Sequence, residues 1–475
     1  MPPGVELSEV QGNVVHAYGA DFPCARFVRL RLASQARAGE AATVVAGWLR
    51  EVSFGRRPKG LPERDRLTPH LNLAFTAGGL TALGVPTTLL HEFPPEFRAG
   101  AKARAAALGD RWPEERPFTE SHLILSVHAT GHAACERRVR ELLEGNAAAG
   151  GPLEVVQERA AGDEGGGREP FGFADGGSQP AVEGVDLDPV GDGVYAARTA
   201  PAGRLRQRAE DLGIVQAKRD WRLVRTGEFL LGHAGEDGAA APGPSAPLGP
   251  NGTFMVYREL DQDVHGFADY VAEQAQRVGM PARELQEKIV GRRREDGSTL
   301  VRPAEDFPQP APAQSARERN GRRRRSNDFL YTADPQGYRC PLGAHVRRTN
   351  PRDALPGGGE RTMRHRIIRR GMRYAPPDEG LVFVCYAASI ENGFEFIQRY
   401  WINDGAALGL GAAPDFMLQQ AGEAGRPTGH MVIPGYRPVV LPPPDRPFVT
   451  VRGCEYLFVP SRRACAWLAG LHAAS

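Results

Sequence analysis

The sequence predicts an α+β fold in which one arrangement is built twice. Strand-like and helix-like stretches follow one another as strand–helix–strand, and this order occurs in both halves of the chain. Of the 475 residues, 41% are hydrophobic, enough to bury a sizeable core. A chain of this length is expected to hold two domains, read here as 1–230 and 231–475. The halves are not visibly similar in sequence, so the duplication rests on element order.

In the first half, residues 25–32 read as a strand and 36–51 as a helix with apolar residues at helical spacing. A strand at 70–75 and a small helix at 80–83 follow. A strand at 122–128 leads into a helix at 132–144, and a strand at 153–159 closes the set. In the second half, strand 253–260 runs into helix 263–277, and strand 381–389 runs into helix 391–401. Two close strands, 448–452 and 456–459, precede a last helix at 461–469. Each half then forms an antiparallel sheet with helices packed on it.

Charge is balanced, with 59 Lys+Arg against 57 Asp+Glu and a net charge of +2. That gives no global pull toward nucleic acid or an anionic membrane. No stretch reaches the roughly 18 uninterrupted apolar residues of a membrane span. The first residues, MPPGVELSEVQGNVV, show no basic region, no apolar region and no twin arginine, which reads as cytoplasmic. The six cysteines are scattered, and none forms CxxC or CxxCH. Free thiols in a reducing compartment follow. Residues 235–252, 302–327 and 405–427 read as loops, the last wrapping the surface. The run Arg322, Arg323, Arg324 and Arg325 lacks interleaved aromatics and reads as a solvated loop.

Four segments carry chemistry. EPFGFADGGSQPAV holds a single acid, Asp175, among Gly172, Gly176 and Gly177, whose backbone freedom permits a bend that turns the acid toward a ligand. Taken alone, an Asx turn explains it as well. CPLGAHVRRTNPR surrounds His345 with Arg347, Arg348 and Arg352: a metal-binding imidazole among cations suited to anionic groups. HRIIRRGMRY places Arg369 after an apolar pair and before Gly371. In GLVFVCYAASIENGFEFIQRYWIN, Leu381 and Phe383 share one strand face, and Glu391 and Glu395 lie one helical turn apart.

Together the four segments resemble the dye-decolourising peroxidase family in content and order. FGFADGGSQP is similar to its G-x-x-D-G motif, GAHVRRTNPR to its proximal-histidine motif and IIRRGMRY to its distal-arginine motif. LSEVQGNVV, GTFMVYRELDQDV and FEFIQRYWIN support the match, which runs from about residue 7 to about 460. The Pro- and Arg-rich insertions resemble the larger cytoplasmic subgroup. Where the family commonly has proline and glycine after the distal arginine, this chain has Arg373 and Ala375.

The resemblance implies two ferredoxin-like halves in a dimeric α+β barrel-like superfold, with one non-covalent haem b held by the second half. It implies His345 as the iron ligand. Asp175 and Arg369 would be the distal pair acting on hydrogen peroxide, and Leu381 and Phe383 the walls of a peroxide-sized pocket. A carboxylate should orient His345, with Glu395 as candidate and Glu391 as alternate; Arg347 is the candidate for a haem propionate. Bulky organic donors such as dyes and phenols would deliver electrons through Tyr386, Tyr400 or Trp401, each equally explicable as core. The reading leaves a homo-oligomer open. Two other functions compete. A haem-delivery protein would need neither Asp175 nor Arg369, and a peroxide-dependent oxygenase would differ in who receives the oxygen.

Overall fold

The computed structural model describes residues 5–471 apart from 16–17, 19–21, 35–36, 56–67, 116, 163–167, 175–177, 186–193, 196–220, 302–328, 330, 356–358, 412, 421 and 423–425. The first half supplies strands β1 (Cys24–Leu32), β2 (His70–Phe75), β3 (Leu123–Ala129) and β4 (Leu153–Gly162). Helix α1 (Ala38–Arg50) follows β1, and α2 (His132–Ala148) follows β3. The second half supplies β5 (Thr253–Gln262), the short strands β6 (Ile368–Arg369) and β7 (Met372–Arg373), β8 (Gly380–Ala387) and β9 (Val449–Val459). Helix α3 (Val264–Val278) follows β5, and α4 (Arg462–Gly470) follows β9.

All nine strands form one sheet in the order β4-β1-β3-β2-β9-β5-β8-β6, with β7 also on β8. Taken within each half, this is the same order twice, fourth–first–third–second, the order of a ferredoxin-like unit. The predicted duplication is therefore present in the topology. An antiparallel bridge between Ala161 and Tyr374 joins the two edges and closes the sheet on itself. Closure removes the exposed edges that would otherwise invite pairing with another chain.

Strand alternation then gives the sheet an inner and an outer face. Phe27, Met255, Tyr257, Val382, Val384, Tyr386 and Leu457 share the inner core. Val28, Leu30, Val256, Cys385, Tyr456 and Phe458 belong to the outer one, beneath Val45 and Leu49 of α1 and Leu468 of α4. The helices start and stop where the sequence says. Asp263 Oδ1 accepts from Gly266 N (2.8 Å) at the head of α3, and Gly279 ends it at φ 67°. Ser461 caps α4 through Ala464 N (3.3 Å).

The edge strands β6 and β7 were not expected from the sequence, and two of the expected elements differ from it. The expected pair of strands at 448–452 and 456–459 is one strand with a register shift between Val451 and Gly453. Glu455, which lies between the two expected strands, points inward. It accepts from Ser121 N (2.5 Å) and Ser121 Oγ (2.6 Å) and pairs with Arg29 (3.4 Å). The expected helix at 391–401 is instead two π-helical segments, Glu391–Glu395 and Ile397–Asn403, a rare winding found mostly at functional sites.

Candidate active site

The connections of the second half are long, and they build a cavity of about 260 Å³ against the outer face of its sheet. Arg258 and Leu260 of β5 and Leu381 and Phe383 of β8 form the sheet wall; the register pairs Leu381 with Leu260 and Phe383 with Arg258. His345, Val346 and Thr349 of the short helix His345–Thr349 form another wall. Ile397, Met417 and Leu418 add apolar surface.

His345 is held from behind. Its Nδ1–H donates to Asp415 Oδ2 (3.0 Å), and the Asp415 carboxylate is fully buried. Asp415 Oδ1 accepts from Met417 N (3.0 Å) and Leu418 N (2.9 Å), which fixes its rotamer. Burial alone would raise the Asp415 pKa. The His345 charge and hydrogen bond, with the nearby Arg348, outweigh burial and hold it below the usual carboxylate value. An ionised carboxylate can only accept, so the proton sits on Nδ1. In the neutral form of the ring, the form that binds a metal, Nε2 is the nitrogen with the lone pair. The His345 side chain is 28% exposed and lines the cavity.

Arg369 stands on edge strand β6, where it also lines the cavity. Its backbone N donates to Gln179 Oε1 (3.0 Å) and its Nη2 to Ser178 O (3.3 Å). The segment containing Asp175 is thereby tied to Arg369. Asp175 itself lies outside the described residues, as does the Arg322–Arg325 run. Its neighbours Phe173, Ala174, Ser178 and Pro180 all line the cavity.

Three further arginines converge here. Arg292 donates to Ser178 Oγ (2.7 Å) and Gly297 O (2.6 Å). Arg352 takes a left-handed backbone (φ 50°), costly for a residue with a β-carbon, and lays its guanidinium 4.0 Å above the Phe329 ring. Arg366 is the third.

Several sequence expectations need correction. Glu395 does not reach His345. It is fully buried, accepts a hydrogen bond from Tyr456 OH (2.9 Å) and is paired with Arg104. Glu391 is exposed. Asp415 holds the role instead, in the loop that was read as merely wrapping the surface. The missed signal was an acid followed directly by Phe416, Met417 and Leu418, an apolar run that an exposed loop does not carry. Arg347 is buried away from the cavity and donates to Asp334 O (3.0 Å) and Cys340 O (2.8 Å). Tyr386 alternates onto the inner face with Val382 and Val384. Trp401 is buried edge-on to His365 (5.4 Å), a cavity residue, and Tyr400 is 47% exposed. Leu381 and Phe383 lie on the cavity wall.

The group most compatible with these donors is haem. The imidazole nitrogen that Asp415 does not engage faces an apolar slot, a buried carboxylate sits behind the ring, and cations line the same space. Comparison with known proteins agrees. The profile described as Dyp-type peroxidase, C-terminal, matches residues 270–409. A multifunctional dye peroxidase, DyP2, of an Amycolatopsis species is 29% identical over 496 residues, covering 96% of this chain and 94% of the relative. The chain is similar to dye-decolourising peroxidases over nearly its whole length. The dye-decolorizing peroxidase msp1 of Mycetinis scorodonius is 27% identical, over 83% of this chain and 75% of its own. Among solved structures, an ancestral D-type dye decolorizing peroxidase superposes with a TM-score of 0.72 at 25% identity, covering 98% of this chain and 99% of that one. A dye-decolorizing peroxidase in complex with 2,6-dimethoxyphenol superposes with a TM-score of 0.70 at 23% identity, covering 98% and 100%. No helix among the described residues is long and apolar enough to cross a membrane.

Proposed function

We propose that the protein is a haem-dependent peroxidase that reduces hydrogen peroxide and oxidises bulky organic donors, dyes and phenols, by one-electron steps. The observation that carries this reading is His345, fixed by buried Asp415 and open to a cavity that Arg369 also lines. The phenol bound by one structural relative supports the donor class.

His345 Nε2 would hold the iron of one non-covalent haem b, and Arg292, Arg352 and Arg366 would meet its propionates. Bound haem supplies the iron on which the peroxide O–O bond is cleaved. Asp415 keeps a proton on Nδ1 and makes the ligand nitrogen more electron-rich. Asp175 would move the peroxide proton from the near to the far oxygen, because a carboxylate stays ionised at neutral pH and accepts readily. Arg369 would stabilise the negative charge developing on the departing oxygen. Leu381 and Phe383 would restrict entry to molecules of peroxide size.

Larger donors would then react at the surface. His365 lines the cavity and stacks on Phe396 (3.4 Å between ring centroids), and Phe396 lies 5.0 Å from exposed Tyr400. This run makes Tyr400 the better exit, with Trp401 beside it. The chain would divide into two halves, 1–230 and 231–475. All six cysteines are buried and none is in a disulfide, which fits the proposed cytoplasmic setting.

The test is peroxide-dependent oxidation of 2,6-dimethoxyphenol by the haem-reconstituted protein, with isotopically labelled peroxide. Oxidation without label in the product is expected. Labelled product would make the chain an oxygenase, and no turnover would make it a haem carrier.

A further inference from the structure

One buried tyrosine beside the cavity is wired in a way that packing does not require. Tyr456 projects from the outer face of β9 and is 1% exposed. Its ring lies edge-on to Phe394 at 6.2 Å, and Phe394 lines the cavity and faces Phe383 at 6.3 Å. The Tyr456 hydroxyl donates to Glu395 Oε1 (2.9 Å). Glu395 is fully buried and receives both Nε and Nη2 of Arg104. The Arg104 side chain is 26% exposed, so its charge reaches water.

A phenol that loses one electron becomes a strong acid. In a low-dielectric interior the resulting cation is costly unless its proton can leave at once. A buried tyrosine hydroxyl usually finds some hydrogen-bond partner, but a neutral acceptor cannot readily take the proton. Tyr456 holds a carboxylate at hydrogen-bond distance, and the cation left behind when that carboxylate is neutralised is the solvated Arg104. Burial also keeps the phenol protonated until it is oxidised.

We infer that Tyr456 is a redox-active tyrosine, an internal one-electron donor to the haem pocket, with Glu395 as its proton acceptor. The inference rests on the peroxidase reading above. The electron goes to the peroxide-generated oxidant in the pocket, which is reduced by one electron. The O–H bond of Tyr456 breaks, its proton passes to Glu395 Oε1, and the products are a neutral tyrosyl radical and a carboxylic acid still hydrogen-bonded to Arg104. Tyr456 thereby drains oxidising equivalents from the pocket when no external donor is present. Tyr257 serves as an internal control. It donates to Glu259 Oε1 (2.9 Å) in the same way but projects to the inner face, away from the cavity.

The experiment mixes haem-reconstituted full-length protein with one equivalent of hydrogen peroxide and records both absorbance and freeze-quenched electron paramagnetic resonance. Ring-deuterated tyrosine identifies any tyrosyl signal. A tyrosyl signal is expected in the parent protein and in Tyr257→Phe, and its loss in Tyr456→Phe. In Glu395→Gln, which keeps a hydrogen-bond acceptor but cannot take the proton, the signal should fall at least about tenfold, a conservative figure for a lost general base. The absorbance response to peroxide should persist in all variants. An unchanged radical in Tyr456→Phe, with that response intact, overturns this inference alone. So does full radical yield in Glu395→Gln. A parent protein whose absorbance ignores peroxide overturns the peroxidase reading and this inference with it.

Discussion

The two faces of strand β5 carry opposite solutions to the same problem. On the inner face, Glu259 accepts from Tyr257 OH (2.9 Å), Gln157 Nε2 (3.0 Å) and Arg159 Nη2 (3.2 Å). Arg29 and Glu455 extend this polar network inside the closed sheet. One residue away, on the outer face, Arg258 is anchored by Asp110 (2.6 Å) and Gln398 (3.0 Å), yet its surroundings stay open. The inner network ties its charged side chains to one another inside the closed sheet, which makes it a structural plug. On the outer side, His345 presents a ring edge to the cavity and several arginines line it. Incomplete packing around well-held donors is what separates a site from a core.

Breaking each side should therefore fail differently. The largest effect is expected for His345→Ala, which should abolish stoichiometric haem binding while leaving the thermal transition of the haem-free protein nearly unchanged. Haem titration and calorimetry check it, and full haem uptake would remove His345 as ligand. Inside the sheet, Arg29→Ala should do the reverse. Removing one partner of a buried pair costs roughly 3–5 kcal/mol of stability, read by denaturant unfolding, with the haem spectrum of the folded fraction preserved. Asp415→Asn should keep haem but slow its reaction with peroxide by about 10–100-fold, the usual range for the group behind a metal-binding histidine.

The smallest effect is a pH dependence remote from the cavity. Burial pushes the Glu228 pKa up to about 7, with the neighbouring Glu236 and Asp237 adding to the shift. A carboxyl raised in the folded state favours folding while it is protonated. Its contribution is complete below about pH 4.5 and is lost as the pH rises through about 7. Glu228→Gln should flatten the stability profile across that window. An unchanged slope would show that Glu228 does not titrate there.

Much of this contrast was legible in the sequence. Strand alternation predicts that Leu381 and Phe383 share a face, and the motifs place His345 and Arg369 in one site. The duplication followed from element order, and the ferredoxin-like form of each half from the family resemblance. What escaped were contacts between residues distant in sequence. Asp415 comes to His345 across 70 positions, and Arg104 comes to Glu395 across 291. Helical spacing made Glu395 look like the partner of His345, because spacing along one element says nothing about which neighbour packs against it. Arg347 was misread for a related reason. It sits two residues after His345, and residues two apart on a helix do not share a face.

The central claim, that His345 and Asp415 support peroxide chemistry in the outer cavity, is tested most directly by stopped-flow absorbance of the haem-reconstituted protein mixed with one equivalent of hydrogen peroxide. The account predicts that the Soret band falls within milliseconds and returns when a dye is added. A band that stays ferric and only bleaches slowly would contradict it, leaving a haem-binding protein without turnover.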